Sequence, residues 1–378
     1  MGRPGMPRSI EALKTIAATG VVLIVIELAL RLALGAPTGA FDFLAPTASH
    51  GLYPPNLAKR WDWGPVPSLL HTNELGLRAT RLGEMSSRAK GRIVAIGDSI
   101  THGFFVDDVD SWPFILQGLI DAKLGEGWQV LNAARGGASL PKELSILREI
   151  ALPLEPDVIL LTFVTNDISD LRDEKHETPH RYPLEFRAEN LALWERTGIW
   201  LATKTALGET LLELYWNGFV RKENVSPAEL SDGRYAIAKG DRFAENSARF
   251  LRKHTRSEGT VLVATFPEKT QELVDRYLAL LAEYARESRT AGAKPVLIYF
   301  PAYPQVYAPG TPLLIRDVLQ EEAALLNIPF LDLTATFRQR GAAHVLHMAP
   351  LDYHLNPAGN QVFAEAVFEF LLDRNMVR

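Results

Sequence analysis

The strongest constraint on the fold is the stretch Arg92–Gly103 (RIVAIGDSITHG), an aliphatic and β-branched run closed abruptly by Gly97 and a small polar turn. The run is too short for a stable helix, and its unbroken apolar character is that of a strand covered on both faces, as in parallel sheets. Similar runs recur at Trp128–Asn132, Pro156–Phe163, Lys294–Phe300 and Ile328–Leu333. Helical patterns lie between them. One starts at Asp110 or Ser111 with Pro113 in its first turn, and a long amphipathic one extends from about Pro267 to Arg289 with Leu273, Tyr277, Leu281 and Tyr284 on one face. Val261–Phe266 fits either a strand or a loop. Strands alternating with helices imply βαβ crossovers, so an α/β fold is predicted, a three-layer α/β/α sandwich.

The amino terminus sets the address. Thr15–Ala36 is almost wholly apolar and long enough to cross a bilayer, and Arg3, Arg8 and Lys14 precede it. By the positive-inside rule the start stays cytoplasmic and the remainder is exported, which places a single-pass protein in the cell membrane with its main domain on the extracytoplasmic side. Glu27 and Arg31, one turn apart, can pair on one helix face or snorkel at the outer end. The alternatives are a cleaved signal peptide and a docked amphipathic helix. The predicted organisation is a start and anchor over 1–36, an extended lead over 37–90 rich in Pro, Gly and Trp, and a main domain over 91–378 with an insertion at about 171–260. Trp61 and Trp63 in the lead fit a membrane interface or packing on the domain.

Composition excludes several functions. The 378 residues carry 47% hydrophobic and 22% charged side chains, enough for a large core. A net charge of -5 without a basic run argues against nucleic acid as a partner, and the absence of cysteine excludes disulfides, thiolate zinc sites and a cysteine nucleophile.

Chemistry is expected where the strands end, because loops at the carboxyl edge of an open parallel sheet converge on a crevice. Ser99 follows the first strand and is the candidate nucleophile. The second strand leads into Gly136-Gly137, where a backbone N–H can approach a ligand closely. The third leads to the uncharged amide of Asn166. Near the carboxyl terminus, Asn356 as cap and Pro357 at the first helical position start a helix through Leu372, and Asp352 and His354 project from the loop ahead of it. A carboxylate beside an imidazole fixes its tautomer and stabilises the imidazolium, as a general base for serine requires. Together the four loops offer a nucleophile, oxyanion donors and an oriented base, the parts of acyl transfer.

Over roughly Arg92 to Leu372 the sequence resembles the SGNH (GDSL-type) hydrolase superfamily, in its membrane-anchored bacterial branch. The resemblance rests on Gly97-Asp98-Ser99, on Gly137 five residues after Asn132, on Asn166-Asp167, and on Asp352 with His354. It implies a flavodoxin-like sandwich with sheet order 2-1-3-4-5. Ser99 is then nucleophile, the Ser99 N–H, the Gly137 N–H and the Asn166 side chain form the oxyanion hole, His354 is base and Asp352 orients it; no cofactor is implied. Val164 stands where the family usually has glycine, crowding the cleft beside Asn166, and Asp352 precedes His354 by two residues instead of the usual three. The shorter spacing resembles the branches that modify cell-surface polysaccharides, the alginate O-acetyltransferase group among them. The expected partner is an acyl ester of an envelope polysaccharide, lipid or small molecule, with hydrolysis as the leading reaction, transfer to a sugar hydroxyl as an alternative, and a non-catalytic glycan- or protein-binding role as another. The oligomeric state is left open.

Other residues are read as structural. His102 is taken as a solvated loop histidine, Asp107, Asp108 and Asp110 as solvated turn charges, Thr72–Arg78 as a turn and edge element without chemistry, and His344 and His347 as lacking a further metal ligand. Trp194, Trp200 and Trp216 are read as a helix–core stripe in preference to a sugar-stacking platform, and Asn224-Val225-Ser226, followed by Pro227, as a poor glycosylation signal.

Overall fold

The computed structural model describes residues 8–37, 52–53, 55–61, 68–81, 90–172, 192–215, 243–255, 258–349 and 352–378. Trp63, Trp216 and the Asn224 sequon lie outside them.

Five parallel strands form the central sheet: β3 (Gly91–Ile96), β4 (Trp128–Asn132), β5 (Val158–Phe163), β6 (Lys294–Tyr299) and β7 (Phe330–Asp332), in the spatial order β4-β3-β5-β6-β7. Numbered within the sheet this is 2-1-3-4-5, the order the resemblance implies. Each central strand is covered on both faces, and successive residues divide between two cores as the two-residue period requires. Val94, Ile96, Ile159 and Leu161 pack towards α4 (Leu140–Ile146), α9 (Glu268–Thr290) and α11 (Leu314–Leu325). Ile93, Ala95, Val158 and Leu160 pack towards α3 (Trp112–Leu124), α12 (Thr334–Gly341) and α13 (Pro357–Asp373). On that second face the Trp112 and Phe363 rings stack at 4.6 Å. In α9, Tyr277, Leu281 and Tyr284 are buried, as the amphipathic pattern predicts. Val261–Phe266 is irregular.

A small antiparallel hairpin, β1 (Ala58–Trp61) with β2 (Ser68–His71), lies in the segment expected as an extended lead. Leu52, Tyr53, Leu70 and Leu77 join the α9-side core, so the described part of that lead is packed against the sheet domain. Shorter helices α2 (Ser99–His102), α5 (Asn166–Asp170) and α10 (Tyr303–Tyr307) follow β3, β5 and β6. Between α5 and α9 the described residues form α6 (Leu193–Lys204), α7 (Ala206–Tyr215) and α8 (Phe243–Lys253).

The amino-terminal helix α1 (Arg8–Leu34) contains a span, Glu11–Leu34, with mean hydropathy 2.2 and none of its residues fully buried, long and apolar enough to cross a membrane. The helix–core reading of the tryptophans is corrected: Trp194 and Trp200 are 75% and 57% exposed. The seam between α6 and α7 is made by small residues instead. A Cβ at Gly208 would lie 2.1 Å from the Leu201 carbonyl oxygen, so the helices approach too closely for bulky side chains to separate them.

Candidate active site

Ser99 opens α2 at the carboxyl end of β3. The turn needs glycine at 97, since a Cβ there would meet Thr101 Oγ1 at 2.4 Å. Asp98 caps the helix, its Oδ1 accepting from the Ile100 N–H at 2.9 Å. This leaves the Ser99 hydroxyl half-buried and facing the loop before α13. There, Asn356 accepts the Gly359 N–H at 2.9 Å and starts the helix as the sequence indicates. The loop brings His354 Nε2 to 2.7 Å from Ser99 Oγ. His354 Nδ1 bonds Asp352 Oδ1, which also accepts the His354 backbone N–H at 2.9 Å. The two-residue spacing is what allows one carboxylate oxygen to hold both the ring and the backbone of His354.

The electrostatics follow from these contacts. Burial disfavours the His354 cation, but the Asp352 carboxylate, by charge and hydrogen bond, together with Asp98 and Glu258 outweighs it and raises the imidazole pKa. Asp352 is held below its ordinary value: burial pushes it up, and His354 more than offsets this by charge and by two hydrogen bonds. Asp98 is raised by burial, partly countered by the Ile100 N–H.

Asn166, at the start of α5, donates from Nδ2 to Asp98 Oδ2 at 3.3 Å and to Asp170 Oδ2 at 3.1 Å. Gly137 lies exposed on the loop after β4 with φ 72° and is not among the residues lining the cleft at Ser99. The structure therefore brings Ser99, Asp352, His354 and Asn166 to one cleft, with Gly137 outside its lining. The cleft measures about 310 Å³. Val164 is one of its walls, where the sequence anticipates crowding. The opposite wall comes from the insertion: Phe250 and Lys253 of α8, then His254 and Glu258, with Phe250 edge-on to Tyr353 at 4.8 Å. Nothing in the sequence marks these residues, because their role depends on α8 folding back over a sheet edge.

Two structural readings of polar residues are corrected. His102 is fully buried, not solvated, its ring 5.5 Å from Tyr53 and 5.1 Å from Phe104, and burial pushes its pKa well down. Asp108 is buried as well: its Oδ1 accepts from Arg78 Nε at 2.8 Å and its Oδ2 from the His71 N–H at 2.8 Å. Arg78, in the segment given no chemistry, also donates to the carbonyls of His102, Gly103 and Val106. It pins the chain that follows Ser99. Phe104 and Phe105 on that chain pack against the His354 ring at 5.6 and 5.2 Å. His347 is buried beside Tyr307, whose hydroxyl lies 3.2 Å from its Nδ1, and burial pushes it down to about 3.

Behind the cleft, Asp167 and Glu143 are both buried, and Asp167 is pushed well above the usual carboxylate range by burial first and then by Glu143 and Asp98. A carboxyl whose folded pKa exceeds its unfolded value of about 4 contributes stability that is lost as pH rises through the folded value. Asp167→Asn is therefore expected to flatten the decline of Tm as pH rises above about 4, since the amide oxygen can still accept the Val164 N–H. Equal slopes in wild type and variant would refute this.

A hydroxyl hydrogen-bonded to an imidazole, itself held by a carboxylate at the edge of a parallel sheet, is the arrangement of a serine hydrolase. Within that class the chain belongs to the GDSL-like lipase/acylhydrolase family, whose model matches residues 95–362. No curated protein matches. Among solved structures, the chain is similar to Axe2, an acetylxylan esterase from Geobacillus stearothermophilus, at 14% identity and TM-score 0.40, covering 76% of this chain and 96% of that one. It is also similar to TesA at 15% identity and TM-score 0.42, covering 76% and 99%. The acetyl xylan esterase AlAXEase aligns at 12% identity and TM-score 0.41, covering 74% and 98%.

Proposed function

We propose that this chain is a membrane-anchored esterase that cleaves an O-acyl ester of an envelope glycan or lipid on the extracytoplasmic side, with Ser99 as nucleophile, His354 as base and Asp352 as its orienting partner. The observation that carries this reading is the 2.7 Å contact of His354 Nε2 with Ser99 Oγ, the imidazole being held from behind by Asp352. In this mechanism Ser99 Oγ attacks the ester carbonyl carbon while His354 takes the hydroxyl proton. The carbonyl oxygen of the tetrahedral intermediate gains negative charge and is received by the Ser99 N–H and the Asn166 amide, Gly137 lying outside the cleft lining. The C–O bond to the alcohol then breaks, His354 returns the proton to the departing oxygen, and water deacylates Ser99 by the same steps. Asn166 serves the oxyanion by exchanging one of its acidic partners, Asp98 or Asp170, for it. A cleft of about 310 Å³ is at the small end for ligand sites and suits a short acyl group on one sugar-sized alcohol. The anchor reading rests on the apolar Glu11–Leu34 span and on the basic residues before it.

The test is fluorophosphonate labelling of the full chain in detergent beside Ser99→Ala, a probe that traps an activated serine without the natural substrate. Labelling of wild type that disappears in the variant is expected. Equal labelling of both would exclude Ser99 as nucleophile, and absent labelling of folded wild type would favour a binding role. Acyl release from an acylated glycan without any added acceptor separates hydrolysis from transfer, which needs one.

A further inference from the structure

Glu27 is the one acidic residue of α1 beyond its amino-terminal turns, and the structure gives its carboxylate a full set of partners. Oε1 accepts from Arg31 Nε and from the Ala206 N–H at 3.0 Å, and Oε2 accepts from the Leu207 N–H at 2.9 Å. Arg31 in turn donates to the Lys204 carbonyl at 3.4 Å. The anchor's ion pair, expected to pair or snorkel, thus also holds the bend between α6 and α7, capping the first turn of α7. Leu23, Ile24 and Leu28 of α1 line one groove with Leu201, Ala202, Leu207, Gly208 and Leu211 of the hairpin.

The position of this contact along α1 matters. The span Glu11–Leu34 has 24 residues, about 36 Å at about 1.5 Å each, against about 30 Å of bilayer hydrocarbon. Glu27 lies seven residues before Leu34, about 10 Å inside the span's carboxyl end. A hairpin that touches Leu23 to Leu28 sits below the membrane surface. Its own surface fits that position. Trp194, Leu211, Leu214 and Tyr215 are each more than half exposed, at 75%, 57%, 63% and 56%. The hydroxyls of Thr197, Thr203, Thr205 and Thr210 all donate to the carbonyl four residues earlier, leaving no threonine hydroxyl of the hairpin that needs water. Charged side chains within Leu193–Tyr215 are too many for a spanning segment, which leaves an element lying within one leaflet.

We infer that the Leu193–Tyr215 hairpin is embedded in the domain-side leaflet beside Leu23–Leu28 of α1, and that acyl chains of that leaflet cover Trp194, Leu211, Leu214 and Tyr215. The inference rests on the anchor reading of α1. It makes the insertion a second membrane contact that fixes the height of the catalytic domain over the bilayer, in place of free swivelling on a single helix.

Because the chain contains no cysteine, single substitutions report unambiguously. The full chain is reconstituted in phosphatidylcholine/phosphatidylglycerol vesicles, and spin labels are attached separately at Leu201→Cys, Leu211→Cys and Leu214→Cys. Val22→Cys on α1 and Glu272→Cys on α9 serve as references, and collision with oxygen and with a water-soluble nickel chelate is read at each. The expected result is oxygen-dominated collision at the hairpin positions, resembling Val22→Cys and several-fold above Glu272→Cys. Nickel-dominated collision at the hairpin with an oxygen-dominated Val22→Cys overturns the inference and leaves the anchor intact. Nickel-dominated collision at Val22→Cys as well overturns both readings. Low collision with either reagent at the hairpin positions indicates a second copy of the chain as the cover, and also overturns the inference.

Discussion

Asp352→Asn is expected to lower kcat/KM on an activated ester by about 10³- to 10⁴-fold, the scale found when the orienting carboxylate of a serine triad is made an amide. The cause is local. Asp352 Oδ1 accepts both from the His354 ring and from its backbone N–H, and an amide there can present its NH₂ to Nδ1, favouring the tautomer that carries the proton on Nε2 and faces Ser99 with a donor. The pH profile adds a second readout. In the proposed mechanism His354 must be neutral to accept the Ser99 proton, and the Asp352 carboxylate raises its pKa. Activity in wild type is therefore lost as pH falls through a value above the about 6.5 of an ordinary imidazole. In Asp352→Asn the largest charge that raises it is gone and burial is opposed only by the Asp98 and Glu258 charges, so the acid limb of the residual activity moves to lower pH. A variant that loses activity with its acid limb unmoved would show that Asp352 acts on the fold of the loop and not on His354. An unchanged kcat/KM would remove it from the site.

The parts of this arrangement that sequence discloses are those decided within a few residues. The central sheet strands are legible because each is buried on both faces, which leaves an apolar run such as Val158–Phe163. Ser99, Asn166 and the Asp352–His354 loop are legible because each directly follows a strand or precedes a well-capped helix. Direction is less accessible. The Asn166 amide is turned by Asp170 of its own helix and by Asp98, whose position depends on a separate element. Polar residues buried by distant partners are misread as surface: Asp108 looks like one of three solvated acids until Arg78, thirty residues away, closes on it. The tryptophans of α6 mislead in the opposite sense, since an aromatic helix face ordinarily faces a core, while here Gly208 and Ala202 form the seam and Trp194 and Trp200 turn outward.

Arg78→Met is expected to destabilise the domain by about 3 kcal/mol, because removing one partner of a buried ion pair strands the other charge. Asp108 would keep the His71 contacts on Oδ2, which places the loss at the low end for such pairs. The carbonyls of His102, Gly103 and Val106 would also lose their shared donor. Denaturant unfolding of the full chain in detergent, followed by tryptophan emission, measures this. The double variant Arg78→Met/Asp108→Asn separates the stranded charge from the lost loop contacts: it is expected to be more stable than Arg78→Met alone, since the neutral amide still accepts the His71 N–H. Losses that simply add would show that the pair is not coupled. The activity consequence differs from that of Asp352→Asn. Arg78 touches no reacting atom, but it holds the chain carrying Phe104 and Phe105, whose rings flank His354. Loosening that chain lets the imidazole leave the 2.7 Å contact with Ser99 for part of the time, so the expected result is a smaller fall in kcat with the acid limb unmoved. The two substitutions thus divide the requirements on His354: its charge state is set by Asp352 from behind, and its position by a phenylalanine wall that a buried arginine keeps in place.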